Sequence, residues 1–218
     1  MQPVLILTPL AIEHAALCSA LNTGETSAES DHHGVKVIRD LNFDLAVGGH
    51  GKVQFALSTQ LLIQKLNPRL VVCAGAAGRL DPSLAPLDVV ISDVTIEHDY
   101  NLRFIERPLP RFPADMKVLE KLRRSHEWPG FRVHFGPLAS GDEDILSEGR
   151  AAEIRNLTGA RAVAWEGAGG ARACRMHGVP FVEVRAITDA ADAEAPRAFA
   201  ENVKFGMRNV AEVLRQLI

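Results

Sequence analysis

The sequence predicts an α/β fold with three layers, in which a central mixed β-sheet is flanked by helices. Short runs rich in aliphatic and β-branched residues alternate with longer segments of helical periodicity, and this alternation is typical of a sheet covered by helices. Several of these runs are apolar at consecutive positions, as expected where both faces of a strand are buried. A chain of 218 residues suits one large core better than two, so we expect a single domain over residues 1–218.

Eight segments have the composition of strands: PVLILTP, GVKVIRD, DLAVGG, RLVVCAGA, DVVISDVTIEHD, FRVHFGPLASGD, ARAVAWE and VPFVEVRAITD. Five segments between them predict helices, over Ile12–Leu21, Lys52–Leu66, Ala114–Ser125, Glu148–Leu157 and Gly167–His177. A C-terminal helix follows from an apolar stripe at spacings of three and four, formed by Phe199, Val203, Met207, Val210, Leu214 and Leu217. We expect this stripe, including Phe199 and Met207, to pack in the core rather than to contact a ligand. The three prolines in residues 101–113 predict an irregular loop.

Composition and charge argue against several classes of function. Lysine and arginine number 24 against 27 aspartates and glutamates, for a net charge of −3, and there is no basic stripe of the kind that binds nucleic acid. No apolar stretch approaches the roughly 20 residues of a membrane helix, and the N-terminus lacks the features of a signal peptide. Cys18, Cys73 and Cys174 lie in apolar contexts, which favours buried free thiols in a reducing compartment. We therefore expect a cytoplasmic protein without nucleic-acid or membrane partners.

Polar residues that follow strands are the first candidates for a site, because ligands of α/β proteins bind beyond the carboxyl ends of the strands. Glu13 comes soon after the first strand, although an acid there also suits the positive end of a helix dipole. Glu166 follows AVAW, and the glycines and alanines after it are poor helix formers. A helix that accepts them packs closely against another backbone or a ligand. Arg185 and Asp189 end another strand, where they either serve a ligand or pair with each other.

The strand VVCAGAAGRL ends in small residues, including Ala76 and Gly78. Small side chains let a backbone approach a ligand and let amide groups point towards it. The segment lacks the third glycine and the directly following helix of the dinucleotide fingerprint, so no such cofactor is indicated. We also expect no metal.

In their order and spacing, VCAGAAGRLDPSLAPLDVVISD, SGDEDI, AVAWEGAGGA and VPFVEVRAITDAAD resemble the purine nucleoside phosphorylase and uridine phosphorylase superfamily. Within it, the chain is most similar to the 5′-methylthioadenosine/S-adenosylhomocysteine nucleosidases, whose early GxGKV element is matched by GHGKV at residues 49–53. The resemblance spans nearly the whole chain. It implies a nucleoside phosphorylase-like fold and hydrolysis of the N-ribosidic bond of an adenine nucleoside, without a cofactor.

The resemblance also implies catalytic roles. Asp189 matches the acid that donates a proton towards N7 of adenine, which requires a site dry enough to raise its pKa. Glu13 matches the base that activates water and should stay ionised, as in other sites where the environment separates two carboxylates. Arg185 matches an arginine near that water and is expected to hold Glu13 as an anion.

Further positions match the substrate pocket. Glu166 matches the acceptor of hydrogen bonds from the ribose 2′ and 3′ hydroxyls, Trp165 stands where the family has an apolar residue along the ribose, and Ile145 falls in the adenine segment. Departures from the family affect the substrate more than the fold. Asp144 replaces a phenylalanine that stacks on adenine, Ala76 a frequent serine and Ala164 a glutamate. His50 is polar where the pocket for the 5′-alkylthio group is apolar, or it is a surface histidine.

The resemblance implies a homodimer in which the 100–113 loop of one subunit closes the 5′ end of the partner's pocket. Tyr100, Phe104 and Phe112 are the candidates for this contact. The small-molecule partner is a nucleoside.

Three alternatives remain open on the sequence. Phosphorolysis needs cations around an anion, for which Arg79 and Arg185 are candidates, whereas Ala76 and the carboxylate of Glu13 argue against a phosphate pocket. The changes at Asp144 and His50 leave room for a hydrolase of futalosine-type or adenosylhopane-type nucleosides. A non-catalytic nucleoside-binding protein is disfavoured because Glu13, Glu166 and Asp189 are all present.

Overall fold

A computed structural model describes residues 2–23, 28–32, 34–124 and 128–218. The strands are β1 (Val4–Thr8), β2 (Ala28–His32), β3 (Val35–Arg39), β4 (Phe43–Val47), β5 (Leu70–Arg79), β6 (Val89–Glu97), β7 (Arg111–Pro113), β8 (Val133–Ser140), β9 (Ala162–Ala164) and β10 (Phe181–Asp189). The helices are α1 (Ala11–Leu21), α2 (Lys52–Leu66), α3 (Met116–Arg124), α4 (Glu148–Thr158), α5 (Gly167–His177) and α6 (Ala195–Leu214). Among these helices, none is long and apolar enough to cross a membrane.

All ten strands belong to one mixed sheet, as predicted. Five of them form a closed ring, because β10 pairs with both β5 and β6, β8 connects β6 to β9, and β9 returns to β5. β1, β4, β3 and β2 extend the sheet from β5. Since β4, β1, β5 and β10 run parallel to one another, their carboxyl ends meet at the same edge of the sheet, which is where a ligand site is expected.

Helices cover both faces of the sheet and confirm the predicted three layers. Alternate residues of β1 and β5 point to opposite faces, so one core cluster contains Ile6 and Val72 while the other contains Leu7 and Cys73. On the first face these residues pack with α1, α3 and the apolar stripe of α6. On the second they pack with α2 and α5. Every member of the α6 stripe joins the first cluster, although Phe199 is only partly buried there.

The structure corrects several boundaries. β2 and β7 were not predicted, and β7 occupies the end of the 101–113 segment that was expected to be irregular throughout. The small residues from Gly75 to Gly78 form no loop, because β5 continues to Arg79 and pairs with β10 along this stretch. Bulky residues were not needed to extend the strand, since β10 pairs with it through Gly78 and β9 pairs with Gly78 and Arg79. The predicted helix end at Ser125 lies outside the described residues.

The glycines of α5 allow very close packing between helices. A Cβ on Gly169 would lie 2.2 Å from the carbonyl oxygen of Lys52, and a Cβ on Gly170 would lie 2.9 Å from the ring of Phe55. Both contacts are with α2. This explains why α5 tolerates glycine despite a cost of about 1 kcal/mol each relative to alanine.

This close approach predicts a strong effect of a single methyl group. Gly169→Ala would force α5 away from α2 and should lower the free energy of unfolding by about 1–3 kcal/mol, the usual cost of overpacking, as measured by urea denaturation. Gly149→Ala is the matched control, because nothing lies within 4 Å of its Cβ position near the start of α4. The control should leave stability unchanged or raise it. Equal stability of the Gly169 variant and the wild type would contradict the close contact.

Candidate active site

A cavity of about 360 Å³ opens at the carboxyl ends of the parallel strands. The ten residues that the sequence assigned to catalysis and substrate binding all line it. They come from distant parts of the chain: α1 and the β4–α2 turn, β5, the segment after β8, the β9–α5 junction and β10. The fold therefore brings into one place the residues that the motifs marked separately, namely Glu13, His50, Ala76, Gly78, Asp144, Ile145, Trp165, Glu166, Arg185 and Asp189.

Glu13 lies in the first turn of α1 and is only 2% exposed. Its carboxylate accepts hydrogen bonds from the backbone amides of Leu10 at 2.8 Å and Ala76 at 2.7 Å. Burial raises its pKa to about 7, against the opposing effects of Arg185 and of the two amides. The sequence led us to expect an ionised Glu13, but with this pKa the carboxyl group is only partly ionised at neutral pH. The loss of hydration on burial outweighs the effect of the nearby positive charge. The first-turn acid both binds the backbone at the helix start and faces the cavity.

Arg185 is the largest fully buried side chain of the described residues. Its guanidinium donates to Glu183 at 2.8 Å through Nε, to Glu166 at 3.1 Å through Nη2, and to the carbonyl oxygen of Ala76 at 3.2 Å through Nη1. Arg185 and Asp189 form no recorded ion pair, so the structural pairing considered from their spacing is not observed. A Cβ on Gly75 would lie 2.7 Å from Nη1 of Arg185 and 2.8 Å from Oε1 of Glu13, and the glycine thus lets these groups face each other.

Glu166 is the residue directly before α5 and is 3% exposed. Its Oε1 accepts a 3.3 Å hydrogen bond from the amide of Gly51, and its Oε2 accepts from Arg185. The neighbouring Trp165 stacks on His50, with 4.2 Å between the ring centroids. The exposed His50 therefore lines the same side of the cavity as Glu166, and its aromatic contact is one that the sequence did not predict.

Asp189 ends β10 opposite Gly78. Its Oδ2 accepts from the hydroxyl of Thr188 at 2.8 Å and its Oδ1 from the amide of Ala191 at 3.0 Å. Burial raises the pKa of Asp189, although both hydrogen bonds oppose the change. A Cβ on Gly78 would lie 2.8 Å from Oδ1, so only a glycine leaves room for this carboxyl group.

The remaining wall of the cavity differs from the sequence-based expectation at Phe199. This residue lines the cavity as well as packing against the core, because it begins the apolar stripe where α6 passes the open end of the ring. Ile145 is buried in the wall and Asp144 is exposed at it. Phe199 thus provides an apolar ring in the same cavity as Asp144. Its position at the helix start, close after Asp189, was the available sequence signal.

The charges around the cavity disfavour an anion. Glu13, Glu143, Asp144, Glu166 and Asp189 line it, whereas Arg185 is its one lysine or arginine among the described residues. The other cation considered for a phosphate site, Arg79, does not line the cavity and donates to the carbonyl oxygen of Leu84 at 3.1 Å. Arg79, which the sequence offered only as a candidate for phosphorolysis, therefore adds no positive charge to this cavity.

Comparisons with known proteins agree with this geometry. A family model described as "Phosphorylase superfamily" matches residues 3–218. The 5′-methylthioadenosine/S-adenosylhomocysteine nucleosidase of Actinobacillus succinogenes is 36% identical over 178 residues, covering 78% of this chain and 77% of that protein. The nucleosidase of the same name from Neisseria meningitidis, solved with methylthio-immucillin-A, superposes with a TM-score of 0.89 at 28% identity and covers 100% of this chain and 98% of that one.

A futalosine hydrolase of Helicobacter pylori also superposes, with a TM-score of 0.91 at 24% identity over 99% of this chain and 97% of that chain. At this identity the likeness shows the fold alone. The chain belongs to the phosphorylase superfamily and, within it, to the family of the 5′-methylthioadenosine/S-adenosylhomocysteine nucleosidases. This confirms the resemblance inferred from the motifs.

Proposed function

We propose that this protein hydrolyses the N-ribosidic bond of 5′-methylthioadenosine, S-adenosylhomocysteine or a close analogue and releases adenine. The observation that carries the proposal is that the buried Glu13 and Glu166 and the half-buried Asp189 line one cavity with their carboxyl groups. Paired carboxyl groups with elevated pKa values suit acid and base chemistry near neutral pH. As a member of this family the protein is an N-glycosyl hydrolase.

In the proposed reaction, Asp189 protonates N7 while the bond between C1′ and N9 breaks. The electron pair of that bond leaves with the base, and positive charge develops on the sugar. Glu166 accepts hydrogen bonds from the ribose diol, which become stronger as this charge develops. A water molecule then attacks C1′ and gives a proton to Glu13. The products are adenine and the free 5′-substituted ribose.

The pocket also favours water over phosphate as the nucleophile. Arg185 is its single guanidinium or ammonium group within the described ranges, and it is already bonded to Glu166 and Glu183. Several carboxylates would repel a phosphate dianion at the same place. We therefore propose hydrolysis and not phosphorolysis.

A panel of nucleosides tests the substrate assignment. Adenine should appear from 5′-methylthioadenosine or S-adenosylhomocysteine in a buffer without phosphate, as followed by chromatography. Inosine and uridine serve as controls that should release little base. Release confined to a 6-oxopurine or pyrimidine nucleoside would overturn the assignment of an adenine nucleoside.

We further propose a homodimer, with the 100–113 loop near the pocket of the partner subunit. An exposed apolar surface supports this: on α2, Val53 and Leu57 are 72% and 66% exposed, and in the loop Phe104 and Ile105 are 103% and 57% exposed. Large exposed apolar side chains of this kind mark interfaces between proteins when they form a patch.

Charged contacts join the parts of this surface. Lys52, at the start of α2, pairs with Asp99 and Glu97 just before the loop. Arg172 of α5 pairs with Glu97 and lies over the rings of Tyr100 and Phe112, 5.7 and 5.0 Å from their centroids. The two ends of the loop, at Tyr100 and Phe112, are therefore held against Arg172 of α5, and the acids just before the loop are held by Lys52 of α2.

We also propose that the protein is cytoplasmic, because Cys18, Cys73 and Cys174 are free thiols, as is usual in a reducing compartment.

Leu57→Glu should convert the protein to a monomer and reduce turnover, because a buried unpaired charge is costly and the partner's loop would no longer close the pocket. Sedimentation equilibrium measures the mass. Leu157→Glu on α4 is the matched control, since this leucine is 60% exposed but lies on another helix. A Leu57→Glu variant that remains dimeric would contradict the proposed interface.

A further inference from the structure

Glu183 is a buried carboxylate that the reaction described above does not use. It lies on β10 two residues before Arg185, is 1% exposed, and does not line the cavity. Its Oε1 accepts from Nε of Arg185 at 2.8 Å, and its Oε2 accepts from the hydroxyl of Thr95 at 2.7 Å. Both oxygens are therefore held, and one of them holds the guanidinium.

The chain keeps a space for this carboxylate. A Cβ on Gly167 would lie 2.0 Å from Oε2 of Glu183, so no larger residue fits directly after Glu166. The same short segment thus delivers Glu166 to the cavity and leaves room for Glu183 behind it. The glycine at position 167 therefore leaves free the space that the carboxylate at position 183 occupies.

Glu183 also changes the balance of charge at the site. Arg185 faces three carboxyl groups, those of Glu183, Glu166 and Glu13. Among the described residues, it is the one arginine or lysine that forms an ion pair with any of them. The thiol of Cys73, which accepts from Nη2 of Arg185 at 3.2 Å, has its pKa raised by burial and remains uncharged. One positive charge is therefore shared among more acids than it can balance.

We propose that Glu183 is a positioning residue that acts through Arg185. It fixes the plane of the guanidinium against Glu166 and the carbonyl oxygen of Ala76, and it offsets the positive charge, so that less of that charge stabilises the anionic form of Glu13. The proposal rests on the role of Glu13 as the base. A base must be able to take up a proton during the reaction, and a carboxylate held too strongly as an anion does this poorly.

The groups that set the pKa of Glu13 include Arg185, through which Glu183 would act. Arg185 and the amides of Ala76 and Leu10 lower its pKa, while burial and the charge of Glu166 raise it. The result, about 7, is near the pH at which a base is most effective. Removal of the charge of Glu183 would leave the pull of Arg185 on Glu13 less opposed.

The test is the pH dependence of kcat/KM for adenine release by the wild type, Glu183→Gln and Glu183→Asp. Glutamine keeps an oxygen for Nε of Arg185 but lacks the charge, so the acidic limb of the profile should move to lower pH by about one unit, as for other carboxyl groups near an opposite charge. Aspartate keeps the charge but is one methylene shorter. Its acidic limb should stay in place while kcat falls, because the guanidinium is less well held.

A purely structural role would lower the rate of both variants and leave both acidic limbs at the wild-type pH. That result would overturn the proposal, as would a shift of the Glu183→Gln limb to higher pH. Thermal unfolding confirms that each variant is folded. If only the aspartate variant folds, an acidic limb displaced in either direction in that variant contradicts the proposal.

A second readout separates this proposal from the proposed function. In protein labelled with ¹³C at the glutamate carboxyl groups, the resonance absent from Glu13→Gln belongs to Glu13, and its titration can be followed by NMR without any substrate. Its midpoint should be lower in Glu183→Gln than in the wild type. Absence of adenine release would refute the proposed function, whereas an unchanged midpoint would refute the role of Glu183.

Discussion

Asp189→Asn is expected to reduce adenine release by at least about 100-fold, the lower end of what a general acid contributes. An amide can accept and donate hydrogen bonds, but it has no acidic proton to transfer to N7. The fold should be unaffected, since the asparagine oxygen can still accept from the amide of Ala191 and its NH₂ group can donate to Thr188. Steady-state kinetics with 5′-methylthioadenosine and thermal unfolding measure the two effects.

Asp40→Asn is the control for this prediction. Asp40 lies in the turn between β3 and β4, and its Oδ1 accepts a hydrogen bond from the neighbouring amide of Leu41. This variant should turn over substrate like the wild type. Wild-type turnover by Asp189→Asn would show that Asp189 is not the general acid that protonates the departing adenine.

Glu13→Gln should also reduce turnover by about 100-fold or more, since glutamine cannot take the proton from water. The pKa of Glu13, about 7, also predicts the direction of the wild-type pH profile. The base acts in its ionised form, so kcat/KM should fall as the pH drops through that value, while loss of the proton from Asp189 limits the activity on the basic side of the profile. The residual activity of the glutamine variant should lack this acidic limb.

Binding separates a catalytic role of Glu13 from a structural one. Calorimetry with a non-hydrolysable analogue of the nucleoside should give an affinity within a few-fold of the wild type, because Glu13 is assigned to water and not to the sugar. Glu120→Gln on the exposed surface of α3 is the control and should leave both turnover and binding unchanged. Lost binding with turnover retained would show that Glu13 is not the base.

The layers of the fold were predictable because each depends on local patterns. The spacing of the α6 stripe and the continuous apolar runs of β1 and of the first half of β5 directly reflect burial on one or both faces. β7 was missed because it follows Pro110 and ends in Pro113, and because its place in the sheet depends on pairing with β6. The extension of β5 through Gly75 was missed for a similar reason, since its backbone partners come from β10.

The cavity residues were found through motifs, but their electrostatics were not. We expected an ionised Glu13 because of its arginine neighbour. Its pKa depends instead on how completely the chain buries the carboxyl group and on the charge of Glu166. Glu183 gave a visible signal, because residues two apart on a strand point to the same side and Glu183 precedes Arg185 by two. Without the structure, an acid within an apolar strand had no identified partner.

The identity of the sugar product tests the central claim most directly. The protein is incubated with 5′-methylthioadenosine in ¹⁸O-labelled water that contains inorganic phosphate, and the products are analysed by mass spectrometry. We expect adenine and free 5-methylthioribose with one ¹⁸O at C1, and no sugar phosphate. Formation of 5-methylthioribose 1-phosphate, with adenine released only when phosphate is present, would contradict hydrolysis and the assignment of Glu13 as the base.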